Sequence, residues 1–243
     1  EVRRKLRGRS DVPQVALVGY TNSGKSTLLN QLAGSADAFV EDKLFATLDT
    51  LVRRGAVAPG RRALFIDTVG FIRDLPHQLV PAFAATLEAA RYADLVLHVI
   101  DVARPTAVDD CRAVEETLAK EVFAKGDAPP PVLNVLNKID AASEFATRDF
   151  EGVAISAKDG RNLDLLRERV AGLLYPDDRE VEILIPHTAV RSLEFLRAKD
   201  RIEIIEYVAE GARARGRFSR EELTAAEAAG STITSAASAA EAG

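Results

Sequence analysis

A chain of 243 residues has room for one large domain, or for a standard domain with a small companion. Its 47% hydrophobic and 28% charged residues are ordinary for a globular protein, and a net charge of -5 gives no global nucleic-acid signal, so any RNA contact must be local. The single cysteine, Cys111, excludes an internal disulfide framework, leaves a Cys/His metal cluster unsupported and agrees with a reducing compartment such as the cytoplasm. No apolar run is long enough to span a membrane and no signal peptide opens the chain. Glu1 starts the sequence and methionine is missing altogether, so the chain reads as a fragment without its natural N-terminus.

Residues 1–10, EVRRKLRGRS, read as a basic linker or the end of a helical segment, with an RNA-contacting arm as the alternative. Asp11-Val12-Pro13 leads into a buried strand at Val15–Val18, ended by Gly19. A helix follows to about Leu32 and stops near Gly34. Residues 35–55 are polar and aperiodic and are expected to form a long loop beside a site. Strands are predicted at Arg62–Ile66, Asp94–Asp101, Pro131–Leu136 and Gly152–Ile155, and helices at Leu75–Tyr92, Thr106–Lys125 and Asn162–Leu174. Continuous apolar strands alternating with helices give an α/β fold, a mostly parallel sheet with helices on both faces. This domain is expected over 11–175. After Tyr175-Pro176-Asp177-Asp178, a strand at Val181–Ile185, a helix to about Arg197 and a strand at Ile202–Val208 suggest a small α+β subdomain over 176–223. Residues 224–243 are rich in Ala, Ser, Thr, Gly and Glu and are expected to be a disordered tail.

Gly19, Gly24, Lys25 and Ser26 fit G-x-x-x-x-G-K-[ST], the phosphate-binding loop, and they sit where that motif needs to be, between a strand and a helix. The glycines let backbone N–H groups approach phosphate oxygens, and the helix presents its positive end. Lys25 can reach the β- and γ-phosphates, and the Ser26 hydroxyl can coordinate Mg²⁺. Asp67, at the end of the second strand in Asp67-Thr68-Val69-Gly70, is placed to hold Mg²⁺ through water. Asn137, Lys138 and Asp140 form N-K-x-D: the carboxylate can accept from guanine N1 and N2, a donor pair that adenine lacks. The Asn137 side chain is expected to fix the loop and contact the base, and the Lys138 stem to lie along its plane. Ser156-Ala157-Lys158 adds a backbone N–H for the guanine oxygen. Each motif lies just past the C-terminal end of a strand, where open α/β sheets bind ligands.

The set resembles a translation-factor-class GTPase domain and, more narrowly, the HflX family of ribosome-associated GTPases. The residues that carry the resemblance are GYTNSGKSTLLNQL (19–32), DKLFATLD (42–49), DTVGFIRDLPHQLVPAF (67–83), DLVLHVID (94–101), NKID (137–140) and SAK (156–158). The resemblance implies a six-stranded P-loop G domain. It implies a GTP site drawing on Gly19, Tyr20, Thr21, Asn22, Ser23, Gly24, Lys25, Ser26 and Thr27, with Phe45, Thr47, Asp67 and Gly70. Asn137, Lys138, Asp140, Ser156, Ala157 and Lys158 complete that site. Thr47 matches the switch threonine that binds Mg²⁺ and senses the γ-phosphate, so the implied metal set is Ser26, Thr47 and Asp67 and the implied catalytic set Lys25, Thr47 and Gly70. Asn22 has two readings, a side chain that helps hold K⁺ against the phosphates or one that stabilises the loop. The implied partner is the large ribosomal subunit, in ribosome splitting or rescue, with the protein itself monomeric.

Two positions depart from the family pattern: Thr50 stands where Pro is usual, and the C-terminal part ends differently. Many relatives place a Gln after Asp-x-x-Gly to orient the attacking water; here that position is Phe71, which cannot hydrogen-bond water. Hydrolysis is therefore expected to be slow alone and stimulated by ribosomes. The competing readings are a GTP-gated module acting on a non-ribosomal protein, and an RNA-remodelling or RNA-modifying enzyme. His98 reads as a satisfied core histidine, His187 as a cap, His77 as a switch residue and Cys111 as a packed or surface helix residue. Arg53, Arg54, Arg61 and Arg62 read as a solvated surface, with ribosomal RNA contact as the alternative.

Overall fold

The computed structural model describes residues 12–33, 51–68, 70, 87–123, 129–143, 146–189, 194, 196 and 202–235. Two compact units result, Glu1–Gly55 with Arg62–Leu174, and Ala56–Arg61 with Tyr175–Gly243.

Apart from the hairpin tip Ala56–Arg61, which is counted with the second unit, the first unit is built on a six-stranded sheet of β1 (Gln14–Val18), β2 (Leu51–Ala58), β3 (Arg61–Asp67), β4 (Leu95–Asp101), β5 (Val132–Asn137) and β6 (Val153–Ala154), in the order β2-β3-β1-β4-β5-β6. β1 pairs in parallel with β3 and β4, β4 with β5, and β5 with β6. Every residue of β4 is buried, as expected for a central parallel strand covered on both faces. Its helices are α1 (Lys25–Ala33), α2 (Ala107–Thr117) and α3 (Leu163–Leu174), and residues 87–92 are also helical. Ala16, Val18 and Val96 pack with Val114 and Leu118 on one side of the sheet. The helix expected over Thr106–Lys125 changes register at Leu118, continuing as a π-helix over Leu118–Phe123. Of the helix expected at Leu75–Tyr92, only residues from 87 on are described.

The 35–55 loop is corrected at its end: Leu51–Gly55 opens β2, which makes a hairpin with β3 through the two-residue turn Pro59-Gly60. A two-residue connection makes the pair antiparallel, so the sheet is mixed. β2 is an edge strand, so Val52 and Arg54 face water and break the apolar run that would have marked it. Gly55 is the second disguise: a Cβ there would lie 2.4 Å from the Leu32 carbonyl oxygen, a close approach that only glycine allows.

The second unit contains an antiparallel sheet of β7 (Arg179–Pro186), β8 (Ile202–Val208), β9 (Gly211–Phe218) and β10 (Thr232–Ser235), in the order β10-β7-β9-β8. Val181, Ile183, Ile185, Ala214 and Phe218 form its core, flanked by α4 (Arg220–Ala228) through Leu223 and Ala226. Residues 224–235, expected to be disordered, are thus helix and strand. The physical reason is local. Ser219 and Glu222 form a reciprocal capping box, with Glu222 N donating to Ser219 Oγ (3.3 Å) and Ser219 N to Glu222 Oε2 (2.8 Å). β10 then pairs with β7 from Thr232 to Ser235. Residues 236–243 and most of the helix expected before Arg197 lie outside the described residues.

Arg61 is corrected as well. Rather than a solvated surface cation, it is a buried one, held by Asp178 through Nε and Nη2, by Glu222 at 2.9 Å, and with its guanidinium over the Tyr175 ring at 4.7 Å. His187 opens a short 3-10 turn, and its ring nitrogen Nε2 meets the Ala209 carbonyl oxygen at 3.1 Å. Among the described residues no helix is long and apolar enough to cross a membrane.

Candidate functional site

The parallel register sets the site. Leu17 of β1 lies opposite Asp67 of β3, and Asp101 of β4 opposite Asn137 of β5. Three polar side chains therefore end their strands at one edge of the sheet, beside the loop that leaves β1 after Val18.

That loop is shaped by contacts as well as by its own sequence. Gly24 has φ +95°, and a Cβ on it would fall 2.3 Å from Asn137 Nδ2. Glycine is required there twice over, for its dihedral and for the close approach. Asn22 also takes the left-handed conformation, with φ 62°, which Asn tolerates better than most residues. Ser23 N donates to the Tyr20 carbonyl (3.2 Å), and Leu28 N donates to Gly24 O (2.9 Å) to start α1.

Lys25 lies at the start of α1 with its ammonium folded back on the loop, donating to Gly19 O (3.1 Å) and Tyr20 O (3.0 Å). Burial lowers its pKa to about 8, and the neighbouring Asp67 charge opposes that shift. Ser26 Oγ donates to Asp67 Oδ2 at 2.6 Å. Asp67 Oδ1 is buried with no hydrogen-bond partner among the described residues. Burial raises the pKa of this carboxyl, against the pull of Ser26 and Lys25. A hydroxyl and a carboxylate with an unpaired oxygen form an all-oxygen donor set that suits a hard divalent cation. Thr68 Oγ1 anchors the strand end by donating to Leu17 O (2.5 Å). Gly70 lies directly against the loop: a Cβ there would be 2.9 Å from both Lys25 Nζ and Thr21 Cα.

Asn137 is 1% exposed, and both ends of its amide are used. Nδ2 donates to Ser23 O (2.8 Å), and Oδ1 accepts from Ala157 N (2.9 Å). One side chain thus joins the phosphate-loop backbone to the Ser156–Lys158 loop. Within Ser156–Lys158, the segment expected to offer a backbone N–H to the guanine oxygen, the Ala157 N–H is held by Asn137 Oδ1. Lys138, at φ 68°, donates from Nζ to Asn22 O (2.7 Å) and to Asp101 Oδ2 (2.6 Å). Asp140 is exposed, with Oδ1 accepting from Ser156 Oγ (2.7 Å). The whole can grip a polyanion at the loop and present an oriented carboxylate to ring N–H donors at the other end.

The family model described as 50S ribosome-binding GTPase matches residues 14–138. The chain belongs to that GTPase family. Within it, the curated relatives identify an HflX G domain. GTPase HflX of Caldanaerobacter subterraneus subsp. tengcongensis is 45% identical over 205 residues, 84% of this chain and 46% of that protein. GTPase HflX of Escherichia coli is 44% identical over 180 residues, 70% of this chain and 41% of that protein. The chain spans about half the length of the curated relatives it matches. The crystal structure of a GTP-binding protein from Sulfolobus solfataricus in complex with GDP superposes with TM-score 0.52 at 31% identity, over 68% of this chain and 53% of that one.

Of the site residues read from the sequence, the structure brings Gly19 to Ser26, Asp67, Gly70, Asn137, Lys138, Asp140, Ser156 and Ala157 together around the loop of this GTPase. Thr27 and Lys158 are exposed beside them. Phe45 and Thr47 lie outside the described residues, as do Phe71 and His77. Sequence reasoning missed Asp101, the acid that holds Lys138, and Arg104, whose guanidinium stacks 5.3 Å over the Tyr20 ring. The signal for Asp101 was an acid ending an apolar strand two strands from Asp67, which becomes meaningful only once β4 and β5 are in register.

Proposed function

We propose that the chain binds GTP, hydrolyses it to GDP and phosphate, and within its parent protein switches contact with the large ribosomal subunit. The observation that carries the nucleotide reading is the wiring of Asn137, which ties the phosphate loop to the Ser156–Lys158 loop and leaves Asp140 at the surface, oriented by Ser156. Asp140 accepts guanine N1–H and N2–H. The phosphates lie over the 19–26 backbone. Lys25 exchanges its two carbonyl acceptors for phosphate oxygens.

Mg²⁺ fits Ser26 Oγ and the Asp67 carboxylate, with Thr47 as the third assigned ligand, and when bound it supplies charge neutralisation on the phosphates. Gly70 packs close to Lys25, so its backbone N–H is assigned to the γ-phosphate. Phe71 gives the attacking water no hydrogen bond, so unassisted turnover is slow, and a ribosomal partner or a K⁺ ion held near Asn22 completes the site. Unassisted switch GTPases run at on the order of 10⁻⁴ s⁻¹, and a partner group adds roughly 10³ to 10⁵. The ribosomal part of the reading is supported by the family description and by the switch sequence DTVGFIRDLPHQLV.

The nucleotide test is competition between GTP and ATP on the chain itself. GTP should win strongly, and Asp140→Asn should shift preference toward xanthine nucleotide; equal affinities would overturn the reading. The ribosomal test is co-sedimentation of the full-length parent with large subunits, loaded with GDP or a non-hydrolysable GTP analogue. Binding that ignores the ribosome in both states would assign the switch to a different protein partner.

A further inference from the structure

His98, expected to be a satisfied core histidine, is only half satisfied. The ring is 1% exposed on β4, Asn134 of β5 hydrogen-bonds it, and Nδ1 is buried with no partner among the described residues. A buried imidazole nitrogen without a partner is costly to keep and calls for an explanation. The neighbours across from β4 supply one. Cys111 and Glu115 sit one helical turn apart on α2, and Cys111 Sγ lies 3.4 Å from Glu115 Oε1. One ring nitrogen of His98, Cys111 Sγ and a Glu115 oxygen all lie within 4.8 Å of one another.

We propose that His98, Cys111 and Glu115 form a three-donor site for a zinc-like divalent cation, separate from the nucleotide site. The donor set is nitrogen, sulfur and oxygen, which suits zinc and excludes Mg²⁺ as the natural occupant. A tetrahedral zinc with S at about 2.3 Å and O at about 2.0 Å separates the two by about 3.5 Å. The Cys111–Glu115 pair already has that spacing, so only the imidazole has to close in. Asn134 serves as the outer partner that fixes the ring, and the unpartnered Nδ1 is the nitrogen left to bind the metal. Glu115 is exposed, which gives the ion an entry path and leaves the fourth position to water. On binding, the Cys111 S–H bond breaks, its proton goes to solvent, and the sulfur donates to the cation; no electron is exchanged. The cation would pin α2 against β4, the two elements that flank the loop bearing Arg104.

The test uses the chain saturated with Mg²⁺ and GDP, so that the nucleotide site is filled. Zn²⁺ is titrated calorimetrically, and Co²⁺ serves as a spectroscopic stand-in. The expected result is one further cation per chain, a near-ultraviolet thiolate-to-cobalt band, and a rise in thermal midpoint with Zn²⁺. Cys111→Ala should abolish the band and weaken Zn²⁺ at least tenfold. Glu115→Gln, a surface change that leaves the fold intact by circular dichroism, should also weaken it at least tenfold. A folded chain that shows no thiolate band, or a Glu115→Gln chain that binds Zn²⁺ as tightly as the unmodified one, would overturn the site.

Discussion

Replacing Asn137 with Ala tests the central joint of the nucleotide site. The side chain makes two hydrogen bonds in a place closed to water, to Ser23 O at 2.8 Å and from Ala157 N at 2.9 Å. Truncation removes both partners and leaves a carbonyl and an N–H facing a small void. Each orphaned buried group costs roughly 1–3 kcal/mol. Water entering the void recovers part of that, so the net loss should be about 2–4 kcal/mol. The same truncation frees the 19–24 loop from the 156–158 loop, so GDP affinity should fall by more than tenfold. The chain has no tryptophan, so urea unfolding is followed by far-ultraviolet circular dichroism, with a fluorescent GDP analogue for affinity. The expectation is a lower midpoint with unchanged slope in the first unit, together with the affinity loss. A stability change below about 0.5 kcal/mol, the range of ordinary surface substitutions, with unchanged GDP affinity would refute the joint.

Lys25 gives a pH signature in the nucleotide-free, Mg²⁺-free chain. Its pKa is lowered from 10.5 to about 8 by burial, so the unfolded state holds more protons between those values, and stability should rise with pH across that window and flatten in Lys25→Met. Asp67→Asn should leave the metal-free chain as stable as before or more so, since burial already disfavours the charged carboxylate, while the Mg²⁺ dependence of GTP hydrolysis should be lost; this is read from melting curves and from turnover against Mg²⁺ concentration. Arg61→Ala strands Asp178, whose side chain is 4% exposed, and should cost roughly 3 kcal/mol, the scale for breaking one side of a buried pair. Hydrogen exchange should show faster opening of β7 and β9, and Arg61→Met should recover part of the loss through stem packing.

What the sequence made legible follows from burial. β1 and β4 read clearly because central parallel strands are mostly apolar and buried, and β5 read from its Val and Leu residues in spite of Asn134. β2 did not, because an edge strand alternates Val52 and Arg54 outward and hides a close helix contact at Gly55. β9 was missed for a different reason: before Phe218 its inward residues are Ala212, Ala214 and Gly216, too small to register as an apolar stripe, although the Arg residues between them keep a strict period of two. The alanine-rich composition read as a tail, whereas α4 is started by the Ser219-x-x-Glu222 capping box. The site's loops were visible because phosphate and guanine recognition fix residue types at fixed spacing. Asp101 was not, since its role depends on a strand register that no local spacing encodes.

The N-K-x-D loop and the phosphate-binding motif are one hydrogen-bonded body. Consecutive residues of the N-K-x-D loop reach back to consecutive carbonyls of the 19–26 loop, Asn137 to Ser23 and Lys138 to Asn22. Asp101 then holds Lys138 from a third strand, and Ala157 holds Asn137 from a fourth segment. The unusual dihedrals of Asn22 and Lys138 are held by these same contacts. Such strain persists only where the surroundings over-determine it. These contacts hold the loop in its shape, and a loop so held spares part of the ordering cost that a mobile loop would add on binding. On the proposed nucleotide reading, the same wiring couples base selection to phosphate grip at Asn137 and Lys138. Asp140 is different: among the described residues it touches this network through Ser156, so on the proposed reading it is the position where nucleotide preference can change while the phosphate cradle stays intact.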